Sequence, residues 1–152
     1  MIGREPPIEN DLFFLCSLIE WIGRQTRNRR RDVIDTLGEA ELRSCLDLAD
    51  VLHCEPLENT ANELIEKHNI TAGAFDNVAL CQYRVPTHFD IGKVYKRLIV
   101  AVARETGIDL IAVLLLVYHS WIAEKIDDYN CSMFFENPDY LFKSYLAGYA
   151  LE

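Results

Sequence analysis

The chain has 152 residues and a mass of 17.5 kDa, the size of about one domain. Half of it is hydrophobic and 26% is charged, which excludes a disordered chain, a collagen-like one and a coiled rod. The net charge of −9 is uneven: six Lys/Arg face four Asp/Glu in residues 1–31, two face eleven in 32–80, and seven face nine in 81–152. A field of this sign disfavours general binding to nucleic acid and to anionic membranes, and it favours a partner with a basic face.

In chain order, residues 9–24 read as a helix, with Asp11 in position to cap it and Leu12, Leu15, Cys16, Ile19 and Ile22 at helical spacing. Asp32–Leu37 reads as a short second helix ended by Gly38, which suits a left-handed position after a helix. Residues 39–54 form a third, with Leu42, Cys45, Leu46, Ala49, Val51 and Leu52 as its expected buried face, closed by Pro56. A fourth runs over 60–69, where Thr60 and Glu63 fit a capping box. Residues 70–87 are the least regular. Val78–Val85 is read as a short extended segment, because Pro86 pushes Val85 out of the helical region.

Thr87 or His88 opens a fifth helix, with Ile91, Val94, Tyr95, Leu98, Ile99 and Val102 on one face and Lys93, Lys96 and Arg97 opposite. The sixth, over 109–129, is the most apolar. Its run Leu110–Tyr118 is too short for a membrane span, which needs about 20 residues. Asn137-Pro138 starts a seventh, pairing a capping residue with proline at the first helical position. The expected fold is all-α, a bundle of six to seven helices without a substantial sheet. It forms one helical domain over 1–152, with a weak seam near 70–87.

The five cysteines are odd in number and none is spaced as CxxC; with no N-terminal signal-like stretch, they point to a reduced, cytoplasmic protein. Residues 10–38 (NDLFFLCSLIEWIGRQTRNRRRDVIDTLG) and 137–151 (NPDYLFKSYLAGYAL) together resemble small helical proteins of anaerobic bacteria with no assigned activity. The resemblance implies a bacterial, cytoplasmic protein and carries no catalytic residues across.

The densest local feature is Arg24, Arg27, Arg29, Arg30 and Arg31, placed just before the helix at Asp32. Cations there oppose the helix dipole, so the cluster is a candidate contact for a phosphate, a nucleic acid or an acidic partner. The competing reading pairs these arginines with the acidic helices at 39–66. A helix-turn-helix over 32–54 has the right rhythm, but its second helix carries Glu39, Glu41, Asp47 and Asp50 against Arg43 alone, which DNA would repel. Cys81 with His88 is a candidate nucleophile and base, and His119 a candidate acid–base group one face along from Asp127. The adjacent His53 and Cys54 lack zinc-ligand spacing, and no metal or cofactor is expected. Phe134, Phe135, Tyr140, Tyr145 and Tyr149 are candidate interface aromatics.

These features favour a non-enzymatic protein-interaction module using its acidic central surface and C-terminal aromatics, with a protein partner or a second copy of itself. An immunity, antitoxin or adaptor role fits. The alternatives are an anion binder through Arg24–Arg31, or a small enzyme around Cys81/His88 or His119.

Overall fold

The computed structural model describes residues 6–152. Among these the chain forms ten α-helices and one 3-10 helix (Ser132–Phe135), with no strand. The helices are α1 (Pro7–Thr26), α2 (Arg30–Leu37), α3 (Glu39–Asp47), α4 (Ala49–Leu52), α5 (Leu57–Lys67), α6 (Asn77–Leu80), α7 (His88–Thr106), α8 (Leu110–Tyr118), α9 (Trp121–Ile126) and α10 (Pro138–Ala147).

The fold is all-helical, but the count exceeds six or seven for three local reasons. The helix expected over 39–54 turns at Leu48, which is half exposed while Ala49 beside it is buried. The helix expected over 109–129 breaks at Ser120, whose backbone is extended and whose hydroxyl donates to the Val117 carbonyl at 2.6 Å, in competition with the helical ladder. Where an extended segment was expected, Asn77–Leu80 makes one helical turn capped by Asp76, whose carboxylate accepts from the Ala79 N–H at 3.0 Å.

Two expected caps also move. α1 begins at Pro7, a residue suited to a first turn, so Asp11 lies inside the helix. α5 begins at Leu57 behind Pro56, and Thr60 is buried within it. The α7 start is as expected: Thr87 Oγ1 accepts from the Asp90 N–H at 3.0 Å while Asp90 accepts from the Thr87 N–H at 2.9 Å. α10 likewise starts on the Asn137 side chain and Pro138.

The two longest helices, α1 and α7, form the centre. Their contacts run from Arg24 with the Pro86 carbonyl, through Trp21 with His88, to Glu9 with Arg104, so they lie antiparallel. They approach closely where Gly92 faces Ser17: a Cβ at Gly92 would sit 2.9 Å from the Ser17 backbone nitrogen. Leu12, Leu15, Ile19, Ile22, Ile91, Leu98 and Ile99 are sealed between them and their neighbours. Each such side chain contributes about 1.5–3 kcal/mol by leaving water.

The irregular segment after α5 hydrogen-bonds to distant parts of the chain. The Gly73 and Phe75 N–H groups donate to the Thr26 and Arg27 carbonyls at 2.8 Å, and the Gln82 N–H donates to Asn130 at 2.8 Å. No helix among the described residues is long and apolar enough to cross a membrane.

Candidate functional site

The arginine cluster divides when the chain folds. Glu20 sits on the same stripe of α1 as Leu12 and Cys16, and it is 1% exposed. Arg30, fully buried, grips it with two parallel bonds, Nε and Nη2 each at 2.9 Å. Arg24 Nε adds a third at 2.7 Å, and the Tyr129 hydroxyl donates a fourth, short bond. The remaining Arg30 donors reach the Asn28 carbonyl at 2.8 Å and Asn77 Oδ1 at 3.1 Å. Burial alone would raise the Glu20 carboxyl; the Arg30 charge and hydrogen bonds, the Arg24 charge and Tyr129 outweigh it and hold the group at about 2. A buried ion pair this well satisfied is a structural element of the core. Gly23 makes room for it, because a Cβ there would press on the Arg30 guanidinium.

Asp127 extends the cluster. The Tyr95 hydroxyl donates to its carboxyl at 2.7 Å, and Asn77 Nδ2 donates to its backbone carbonyl at 2.9 Å. Burial, then the nearby Glu20 charge, push this carboxyl up to about 7, against the pull of Arg30, the Tyr95 hydrogen bond and Arg29. His119, two turns back in the sequence, is not its neighbour. The break at Ser120 leaves His119 on the surface, where Nε2 pairs with Asp35 at 2.7 Å.

The other arginines point elsewhere. Arg31 reaches Glu124 at 3.4 Å on the surface. The arginines that find carboxylates therefore pair with Glu20 and Glu124, and none with the acidic helices at 39–66. Arg29 lies over the Phe75 ring, 4.5 Å from its centroid. Arg27 ends α1 in the left-handed conformation at φ 55°. Arg27 and Arg29 are exposed, without an ion pair among the described residues, and line an open hollow of about 320 Å³ with Asn28, Asp32, Ala74 and Phe75.

No hydrogen bond joins Cys81 to His88. The Cys81 thiol donates to the Tyr83 carbonyl at 3.4 Å, whereas His88 stacks between Trp21 and Phe89 with centroids at 4.8 and 4.1 Å. Burial, then the Arg24 charge, lower the His88 pKa. All five cysteines are free, and among the described residues no group of three or more His, Cys, Asp and Glu sits close enough to hold a metal ion.

The C-terminal aromatics also split. Tyr140 and Tyr145 are half-buried against the core, and the Tyr140 hydroxyl donates to the Leu151 carbonyl at 2.8 Å. Tyr149 is exposed. Phe134 packs edge-on against Phe135 at 4.9 Å, and Phe135 stands out with Tyr83 and Arg84 around a hollow of about 430 Å³.

The acidic segment has two parts. Glu39 and Asp109 share Arg43, and Glu41 takes Lys67 and His68. Asp47, Asp50, Glu55, Glu58, Glu63 and Glu66 are exposed along α3, α4, α5 and the turn between them, and none makes an ion pair among the described residues. Beside them lies a groove of about 570 Å³ between α1, α4 and the start of α7. Its walls are Pro7, Phe13, Phe14, Ala49 and Phe89, and its polar edge is Asn10, Asp11, Asp50 and His53. Partial burial, then the Asp50 charge, raise the Asp11 carboxyl against the opposing effect of His53. Among the described residues, no lysine or arginine lines the groove.

Compared with family models, curated proteins and solved structures, the chain finds no match.

The sequence reading did not anticipate Glu20 or the groove, and it set Asp127 with His119 instead of with Tyr95 and Asn77. The signal for Glu20 was present: a single acid at i+4 from Cys16 and i+8 from Leu12 on a buried stripe. The groove had no such signal, because its walls come from three separate parts of the chain.

Proposed function

We propose that this chain is a non-enzymatic protein-interaction module of the bacterial cytoplasm that engages a basic partner through the acidic face of α3–α5. The observation that carries the reading is the set of six exposed carboxylates, Asp47, Asp50, Glu55, Glu58, Glu63 and Glu66, without an ion pair among the described residues. Unpaired like charges repel one another and cost stability in the free protein. A basic surface relieves that repulsion and is steered onto the face over about a Debye length. Phe135 and Tyr149, both exposed, are the C-terminal aromatics placed to add contact area. An immunity, antitoxin or adaptor role fits this chemistry.

The test is capture from the native lysate at low salt by the tagged chain and by a variant carrying Glu55→Lys, Glu58→Lys, Glu63→Lys and Glu66→Lys. The wild type is expected to retain a stoichiometric basic protein that the variant loses. Equal recovery of the same proteins by both would count against the acidic face.

A second reading, contact with phosphate or nucleic acid, now rests on Arg27 and Arg29 at the hollow beside Phe75. It expects salt-sensitive RNA binding that Arg27→Ala with Arg29→Ala abolishes. No RNA binding at low salt would remove it.

A further inference from the structure

The groove between α1, α4 and the start of α7 is where the acidic face meets unfilled apolar surface. Phe89 is 48% exposed at its edge, although it is a large aromatic on the central helix. It is also held in place: the Phe13 ring lies 6.0 Å away and the His88 ring 4.1 Å away, and His88 packs edge-on against Trp21. A row of four rings therefore fixes the wall in advance, which lowers the ordering cost of anything that binds there.

The charge of the edge selects among occupants. Among the described residues, Asp11 and Asp50 lie on one side with His53 alone to offset them, and Glu58 lies near enough to His88 to act on it electrostatically. The hollows around Phe134 and Phe135 differ: two of them set Arg97 against Glu136 and Arg84 against Asp90, and the third carries Arg84 with no carboxylate in its described lining. The all-helical fold offers no sheet edge to a docking strand among the described residues. A trough between helices instead takes side chains at i, i+3 or i+4, and i+7 from one face of a helix.

We infer that this groove seats an amphipathic helix of a partner protein, with apolar side chains against Phe13, Phe14 and Phe89 and lysine or arginine flanking them toward Asp11 and Asp50. This rests on the protein-interaction reading above and names the partner's binding element.

The probe is a labelled Leu/Lys peptide of about 18 residues with leucine at helical spacing, beside a control of the same composition in scrambled order. Binding is read by fluorescence anisotropy, and the site by amide shift changes. The helical peptide is expected to bind about tenfold more tightly than the scrambled one, and Phe89→Ala and Asp50→Lys are each expected to weaken it about tenfold. Amides of residues 7–14, 49–53 and 88–90 are expected to move. Both positions are exposed, and a thermal melt checks that each variant is folded.

Equal binding of the two peptides, insensitive to Phe89→Ala, would overturn the inference while leaving charge attraction by the acidic face intact. Failure of both peptides to bind would overturn it as well, and the lysate capture would then decide the module reading separately. A wild-type dimer in sedimentation that Phe89→Ala splits would assign the groove to a second copy and contradict the partner helix.

Discussion

Glu20 and Glu63 both sit on helices, and little else about them is alike. Glu20 is sealed in the core with four donors on its two oxygens, whereas Glu63 is exposed with no ion pair. The same division runs through the arginines, since Arg30 is fully buried and Arg29, next to it in the chain, is exposed. Inside, charge is matched bond for bond, and removing one partner strands the others in a low-dielectric medium. Along α3–α5, six exposed carboxylates are left without an ion pair among the described residues, so single changes there leave the fold alone and alter what the surface attracts. The buried cluster therefore belongs to stability, and the acidic face with its groove is where we propose recognition takes place.

The comparison breaks most visibly at Glu20. Glu20→Gln leaves Arg30 and Arg24 without their counter-charge, and a loss of about 3–5 kcal/mol is expected in urea unfolding. Glu20→Gln combined with Arg30→Met should recover part of that loss, because the fully buried Arg30 charge is then gone and only the part-buried Arg24, which also reaches the Pro86 carbonyl, lacks its counter-charge. A loss below about 1 kcal/mol for the single change would mean that the cluster is not a core element.

Gly92→Ala tests the crossing of α1 and α7. The added Cβ meets Ser17 backbone, so the helices must part, at a cost of about 1–3 kcal/mol read from the same unfolding curves.

Asp127 gives a pH dependence with a defined sign. Its folded pKa of about 7 lies above the ordinary 3.8, so the protonated form favours the fold and stability falls as pH rises through 7. Between pH 6 and pH 8 the fall is roughly 1 kcal/mol. Asp127→Asn keeps an acceptor for Tyr95 and should remove that fall. The Glu20 contribution is lost only in acid, as pH drops through its ordinary range toward 2, and the His88 contribution is common to both proteins. An unchanged slope in the variant would place the titration elsewhere.

The smallest effect is expected at the surface pair of His119 and Asp35. His119→Ala should shift stability by less than about 0.5 kcal/mol, within the range of exposed ion pairs, as measured by thermal melting.

How far the sequence could be read depended on whether the determinant was local. Thr87 with Asp90, and Asn137 with Pro138, are side chains that bond to their own backbone, so α7 and α10 start where the pattern places them. The breaks at Leu48 and Ser120 interrupt apolar periodicity by only a residue or two, too briefly for a pattern of period 3.6 to register. The arginine cluster was visible as composition. Its division into buried Arg24 and Arg30 and outer Arg27 and Arg29 depends on Glu20, Asn77 and Tyr129, which come from distant parts of the chain. Phe13, Phe14 and Phe89 read as ordinary helix residues until α4 is laid beside them.

The central claim is that the unpaired carboxylates of α3–α5 recognise a basic partner. Its most direct test is the association rate of the captured partner against ionic strength, for the wild type and the variant with Glu55, Glu58, Glu63 and Glu66 reversed to Lys. The account predicts a wild-type rate that falls steeply with salt, and a variant that is slow at low salt with a flattened dependence. The same rate and the same salt slope in both proteins would contradict it.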